Sequence, residues 1–223
     1  MTILYNDLGK SLVDEQKEKA LQILKKLEII DPEVLICGGA PRNWDQGKLA
    51  NDVDTYINCT SVQLIRFLET VCDIKESDIE MPLMENNEYA RMQEDWIMNA
   101  TIDGIEFQFH KHNMAGKVFC KSIFNTFDFG INKIAIRSDG SFIKTHDYSF
   151  DVSSKTLTMN KSTVMSSLER DRLSYIFNVR IPKMKEYYPD SEFIIVDDLF
   201  LTIEDDPFGD SEISLRELPK PKT

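Results

Sequence analysis

Apolar residues recur at Leu21, Leu24 and Leu27, with Ala20 and Ile23 adjacent, and this spacing predicts a helix over Asp14 to Glu28. Asp14 is its expected cap, and Asp31-Pro32 ends it. The unbroken apolar run Val34 to Cys37 predicts a short buried strand, and Val53 to Ile57 a second. Ser61 to Cys72 returns to helical spacing, with Val62, Ile65, Leu68 and Cys72 on one face; Asp73 to Asn87 is polar and reads as a loop or insertion. Two apolar runs, Trp96 to Ile102 and Ile105 to Phe109, flank Asp103-Gly104, a hairpin signal. Ala115 to Phe124 reads as a helix. Ile131 to Ile136 and Ser141 to Lys144 flank a second turn at Ser138-Asp139-Gly140. Ser162 to Val179 is helical again, and Pro182 and Pro189 punctuate the residues beyond it. Phe193 to Ile203 is apolar and acidic by turns, and the stretch from about Glu204 reads as an acidic flexible tail. Hairpins mixed with helices predict an α+β fold, a mixed central sheet flanked by helices, with a small C-terminal helical section. The expected division is 1–158, a helical extension over 159–203 packed on it, and a tail over 204–223.

Within this frame one segment carries chemistry. The first strand runs into Gly38-Gly39, and the second begins with Asp52-Val53-Asp54. Alternate strand residues point to the same face, so Asp52 and Asp54 reach one point together. Two carboxylates there suit Mg²⁺, a hard cation that prefers oxygen ligands. A glycine turn one strand earlier lets backbone N–H groups approach a phosphate. Either feature alone is commonplace, a plain turn or a solvated strand edge; their pairing points to nucleotide chemistry.

Composition narrows the setting. The 223 residues are 42% hydrophobic, enough for a real core, and no apolar run nears the roughly 20 residues that span a bilayer. Met1 to Lys10 lacks the pattern of a signal peptide, so the expectation is a cytoplasmic protein that engages no membrane. Cys37, Cys59, Cys72 and Cys120 show no CxxC spacing and read as reduced, buried thiols. His110, His112 and His146 read as surface or structural, although His110 and Arg91 are further candidates for a pocket. Trp44 and Trp96 could stack on a base but read as core. The net charge of −12 argues against a large nucleic-acid interface held through phosphates. A basic cluster of Lys155, Lys161, Arg170, Arg172, Arg180, Lys183 and Lys185 reads equally well as solvated helix positions.

Cys37-Gly38-Gly39, a spacer of 12 residues from Ala40 to Asn51, and then Asp52-Val53-Asp54 resemble the head domain of tRNA CCA-adding enzymes and bacterial poly(A) polymerases, members of the nucleotidyltransferase superfamily that includes DNA polymerase beta. Arg42 falls where the family's Gly-Gly-x-x-Arg places its arginine. Asp128-Phe129-Gly130-Ile131-Asn132 resembles the family's Asp-Phe-Thr-Ile-Asn segment, and Ile105-Glu106-Phe107 resembles the element that supplies a third carboxylate. The resemblance covers roughly Pro32 to Thr158. It implies a nucleotidyltransferase fold and Mg²⁺-dependent transfer of a nucleoside monophosphate from a nucleoside triphosphate, with ATP among the expected nucleotides, to an acceptor hydroxyl, releasing pyrophosphate. The acceptor would be an RNA 3′ end, tRNA included, or a protein. Asp52, Asp54 and Glu106 would be catalytic and hold the metal. Gly38, Gly39, Arg42, Asp128 and Asn132 would contact the nucleotide.

Departures from the pattern accompany the matches. Thr126-Phe127 stands where the family commonly has Arg-Arg, Gly130 replaces its threonine, and Asn43 stands where an aspartate often follows the arginine. Glu169-Arg170-Asp171-Arg172 lacks the spacing of the base-selecting Glu-Asp-x-x-Arg element, and no tRNA-gripping body and tail domains are expected within these residues. The resemblance therefore implies nucleotidyl transfer rather than CCA addition in particular. Two alternatives stand beside it: a non-catalytic nucleotide- or protein-binding module on the same fold, and a relative of tRNA-modifying nucleotidyltransferase toxins.

Overall fold

The computed structural model describes residues 11–81, 96–112, 117–160 and 175–196. Helix α1 (Leu12–Leu27) is capped by Ser11, whose hydroxyl accepts the Val13 N–H at 3.2 Å. Asp14, expected as the cap, lies inside the first turn with Glu15, where both carboxylates meet the positive end of the helix. Helix α1 buries Ala20, Ile23, Leu24 and Leu27, while Leu21, expected on the same stripe, is only partly buried. Helix α2 (Gly39–Asp45) follows strand β1 (Leu35–Cys37) directly. Helix α3 (Ser61–Val71) begins with a reciprocal capping box between Thr60 and Gln63. Its buried face is Leu64, Phe67 and Leu68; Val62, expected on that face, is 57% exposed. Val62 sits two residues before Leu64, roughly 200° around the helix axis.

Among the described residues the central sheet has seven strands in the order β3-β4-β5-β2-β1-β6-β7, with β2 (Val53–Ile57), β3 (Ile79–Glu80), β4 (Trp96–Ile102), β5 (Ile105–Lys111), β6 (Ile134–Ile136) and β7 (Phe142–Lys144). It is mixed: β2 and β5 run parallel, and every other neighbouring pair is antiparallel. The β4–β5 hairpin turns at Asp103 and Gly104, both at positive φ (52° and 77°), the conformation an Asp-Gly turn favours. Helices α1 and α3 cover one face over Val53, Ile57, Phe107 and Phe109. Helix α4 (Lys117–Thr126) covers part of the other, with Ile123 and Phe124 on Leu35, Cys37 and Ala135.

A further core joins the sheet edge to the C-terminal elements: Phe129, Ile131, Tyr148, Leu157, Met159, Ile176, Ile181 and Met184. It is built by helix α5 (His146–Ser154), strands β8 (Thr156–Asn160) and β9 (Glu192–Val196), which pair in parallel, and helix α6 (Ile181–Tyr187). Neither α5 nor the β8–β9 pair is expected from periodicity. A widened helical segment, Ile176–Arg180, runs straight into α6. Pro182 lies where the widened segment passes into α6 and does not end the helical path there. Helix α5 carries buried acids. Lys133 Nζ donates to Asp147 Oδ2 at 2.7 Å, and Asp151 Oδ1 accepts the Thr156 hydroxyl at 2.9 Å and the Thr158 N–H at 3.1 Å. Gly130 wedges between them: a Cβ there would fall 2.4 Å from Thr158 Oγ1 and 2.9 Å from Asp151 Oδ2.

Candidate active site

Strand β2 alternates buried and half-buried residues. Val53, Thr55 and Ile57 enter the core, which leaves Asp54 and Tyr56 on the opposite face, with Asp52 just ahead of the strand in the same phase. In the parallel register Asp54 lies beside Gln108 of β5, so Glu106, Gln108 and His110 share that face. The Gln108 amide lies between two carboxylates, 3.5 Å from Asp52 Oδ2 and 3.4 Å from Glu106 Oε1. His110 Nε2 is 3.1 Å from Asp54 Oδ1, and the His110 ring stacks on Tyr56 with centroids 4.9 Å apart. Burial, then the neighbouring Asp54, pushes the Asp52 carboxyl above the ordinary carboxylate range; Glu106 adds to this and Lys183 opposes it.

Gly38 ends β1 at φ +80°, ψ −120°, with its N–H donating to the Ile134 carbonyl at 2.8 Å. A Cβ here would stand 3.3 Å from the Phe127 ring and 3.7 Å from Asp54 Oδ2. The glycine thus lets the chain turn into α2 directly against the Asp54 carboxylate, and Gly39 opens that helix.

The remaining expected nucleotide contacts are engaged within the protein. Arg42 is buried; its Nη1 donates to Asn132 Oδ1 at 2.5 Å, and its Nε and Nη2 donate to Asn43 Oδ1 at 3.1 and 3.0 Å. Its guanidinium carbon lies 5.7 Å from the Tyr188 ring centroid. Arg42 and Asn132 therefore act on each other, bracing α2 against the Gly130–Asn132 turn and α6. Asp128 accepts from Arg180 Nε at 3.2 Å. Trp44 is core, with its indole N–H on Gln16. Arg91, the Trp96 side chain, Lys161, Glu169 to Arg172 and the 204–223 tail lie outside the described residues.

Gln108 and Tyr188 are neighbours of the site that sequence reasoning does not single out, and Lys183 enters it only as one member of the basic cluster. Strand alternation with Phe107 and Phe109 is the signal that could find Gln108; nothing local marks Tyr188 or ties Lys183 to the site. Among the described residues no group of three His, Cys, Asp or Glu side chains is gathered as a metal-holding cluster. The donor chemistry of Asp52 and Asp54 nevertheless fits a hard cation. Two carboxylates share one face, and among the described residues neither forms an ion pair with a lysine or arginine.

Compared by sequence, the chain matches no family model and no curated protein. Compared by structure, it is similar to solved CCA-adding enzymes. Alignment with an apo form gives a TM-score of 0.58 at 14% identity, covering 83% of this chain and 42% of that one. The Thermotoga maritima enzyme complexed with tRNA gives 0.56 at 15% identity, covering 88% and 43%. The Bacillus stearothermophilus enzyme with CTP gives 0.56 at 13% identity, covering 83% and 42%. This chain thus spans less than half the length of those proteins, and what it shares with them is the fold. That fold is nucleotidyltransferase-like: α+β, with a mixed seven-stranded sheet flanked by helices.

Proposed function

We propose that the protein is a Mg²⁺-dependent nucleotidyltransferase that moves a nucleoside monophosphate from a nucleoside triphosphate to an acceptor hydroxyl. The observation that carries this reading is the juxtaposition, in this fold, of Asp52, Asp54 and Glu106 on one sheet face against the Gly38 turn. Solved neighbours carry CTP in one case and tRNA in another, which supports nucleotide and RNA as the substrate classes. In the reaction the acceptor oxygen bonds to the α-phosphorus, the bond from that phosphorus to the bridging oxygen breaks, and pyrophosphate leaves; the hydroxyl proton passes to solvent. Asp52 and Asp54 would hold the metal, with Glu106 as the further carboxylate. The bound cation would supply charge neutralisation at the phosphoryl oxygens.

The chain's own residues set the stage. Gly38 and Gly39 leave backbone room for phosphate beside Asp54. Gln108 keeps Asp52 and Glu106 oriented, and its amide offsets part of their mutual repulsion. Arg42 fixes α2 and so fixes the turn. Lys183 lends positive potential near Asp52.

Incubation with each of the four α-labelled nucleoside triphosphates, Mg²⁺ and an RNA pool should give labelled RNA and free pyrophosphate. The double variant Asp52→Asn, Asp54→Asn should lose at least about 100-fold of this activity. Equal labelling by the double variant, or none by the native protein with RNA or protein acceptors, contradicts the proposal.

A further inference from the structure

Strand β5 and the residue just beyond it carry two histidine–aspartate pairs that look alike and differ in one respect. His112 Nε2 lies 3.2 Å from Asp31 Oδ2, and His110 Nε2 lies 3.1 Å from Asp54 Oδ1. Asp31 is used up: Oδ1 accepts the Glu33 N–H at 3.0 Å, Oδ2 accepts the Asn58 N–H at 2.8 Å, and the side chain is 8% exposed. That pair ties the end of β2 to the loop after α1. Asp54 is 27% exposed, and among the described residues nothing hydrogen-bonds its Oδ2, which faces the Gly38 turn.

We infer that His110 is a positioning residue for Asp54, holding Oδ1 so that Oδ2 is the oxygen offered to a divalent cation. The assignment rests on the metal reading of Asp52 and Asp54. A carboxylate has no proton to give, so the ring nitrogen facing it donates. The imidazole is itself held. It is 4% exposed and stacks on Tyr56, which packs edge-on to Phe127, the ring beneath Gly38. One chain of contacts therefore runs from Gly38 through Phe127, Tyr56 and His110 to Asp54. A carboxylate with one oxygen so anchored keeps a single rotamer, and less ordering is left for the cation to impose. Partners of this kind typically change metal affinity 10–100-fold when removed.

Two substitutions separate the hydrogen bond from packing. His110→Phe keeps an aromatic ring for Tyr56 and loses the donor; His110→Gln loses the ring and keeps an N–H at similar reach. The readout is Mn²⁺ affinity by electron paramagnetic resonance, in the presence of a non-hydrolysable triphosphate, with Asp54→Asn as reference. The expected result is a loss of about 10-fold or more in His110→Phe and of less than about 3-fold in His110→Gln. Native affinity in His110→Phe, or equal losses in both, overturns the inference. Equal affinity in native protein and Asp54→Asn instead overturns the metal reading beneath it. Should His110→Phe fail to fold, the native protein decides. Long-range proton–nitrogen spectra of its imidazoles should show His110 protonated at Nε2 and shifted by Asp54→Asn; an unprotonated Nε2 overturns the inference.

Discussion

At Gly38 the backbone stands at φ +80°, ψ −120°, a conformation essentially reserved for glycine, and the missing Cβ leaves the space between Phe127 and Asp54. Gly38→Ala should therefore cost about 1–3 kcal/mol of stability, read as a lower urea midpoint, and should reduce nucleotidyl transfer as well. An unchanged midpoint would mean that the turn relaxes freely. Asp151 offers a second test, independent of the active site. Burial, outweighing its hydrogen bonds from Thr156 and Thr158, pushes its carboxyl up to about 6, against 3.8 when unperturbed. The folded protein thus binds more protons than the unfolded chain between those values. The contribution of this group is greatest below about pH 4 and is lost as pH rises through 6, a change of order 2–3 kcal/mol. In Asp151→Asn one oxygen keeps its acceptor role, but the other, which shares the Thr158 N–H at 3.1 Å, is replaced by an amide, and the titrating proton is gone. Whatever the constant cost of that exchange, the stability of the variant relative to the native protein should be higher at pH 7.5 than at pH 4.5 by about 2–3 kcal/mol. Urea midpoints across that range check it; a relative stability that does not change with pH would contradict it.

Helix α6 reaches the site from the far end of the chain. The Tyr187 hydroxyl accepts from Asn51 Nδ2 at 3.1 Å, next to Asp52, and Lys183 lies one turn earlier on the same face of the helix. Lys183 favours the ionised form of Asp52, and its charge would also attract a triphosphate. Lys183→Gln should raise the KM for nucleotide about fivefold, the effect of about 1 kcal/mol from one surface charge. The difference should fade in about 0.5 M salt, and an unaltered KM at low salt would contradict the role. The elements that carry the carboxylates are the legible ones. Val53, Thr55 and Ile57 alternate with polar residues along β2, and Asp103-Gly104 announces the β4–β5 hairpin. Helix α5 is not legible because its buried positions include Asp147 and Asp151, which a hydrophobic pattern assigns to solvent. Strand β8 escapes notice because its partner, β9, lies beyond α6. The bond between Arg42 and Asn132, 90 residues apart, carries no local signal, so the sequence alone does not show that the two side chains meet.

Taken as a whole, the molecule carries a net charge of −12, which limits how it can hold RNA. An RNA acceptor gripped near its end by few phosphate contacts fits that balance better than one held along a long basic track. The affinity for a single-stranded RNA should therefore fall only gently with salt, with a log–log slope shallower than about −2, or about three contacts at most. A slope several-fold steeper, by fluorescence anisotropy, would reveal a basic face instead. The proposed transfer would depend on Asp54 with Asp52 acting through a divalent cation. Calorimetric titration with ATP and with CTP, in Mg²⁺ and then in EDTA, tests it most directly. The native protein should bind at least one of them in Mg²⁺ and lose that binding in EDTA, and Asp54→Asn should resemble the native protein in EDTA whatever the metal. Binding of equal strength with and without Mg²⁺, or retained in Asp54→Asn, would contradict it.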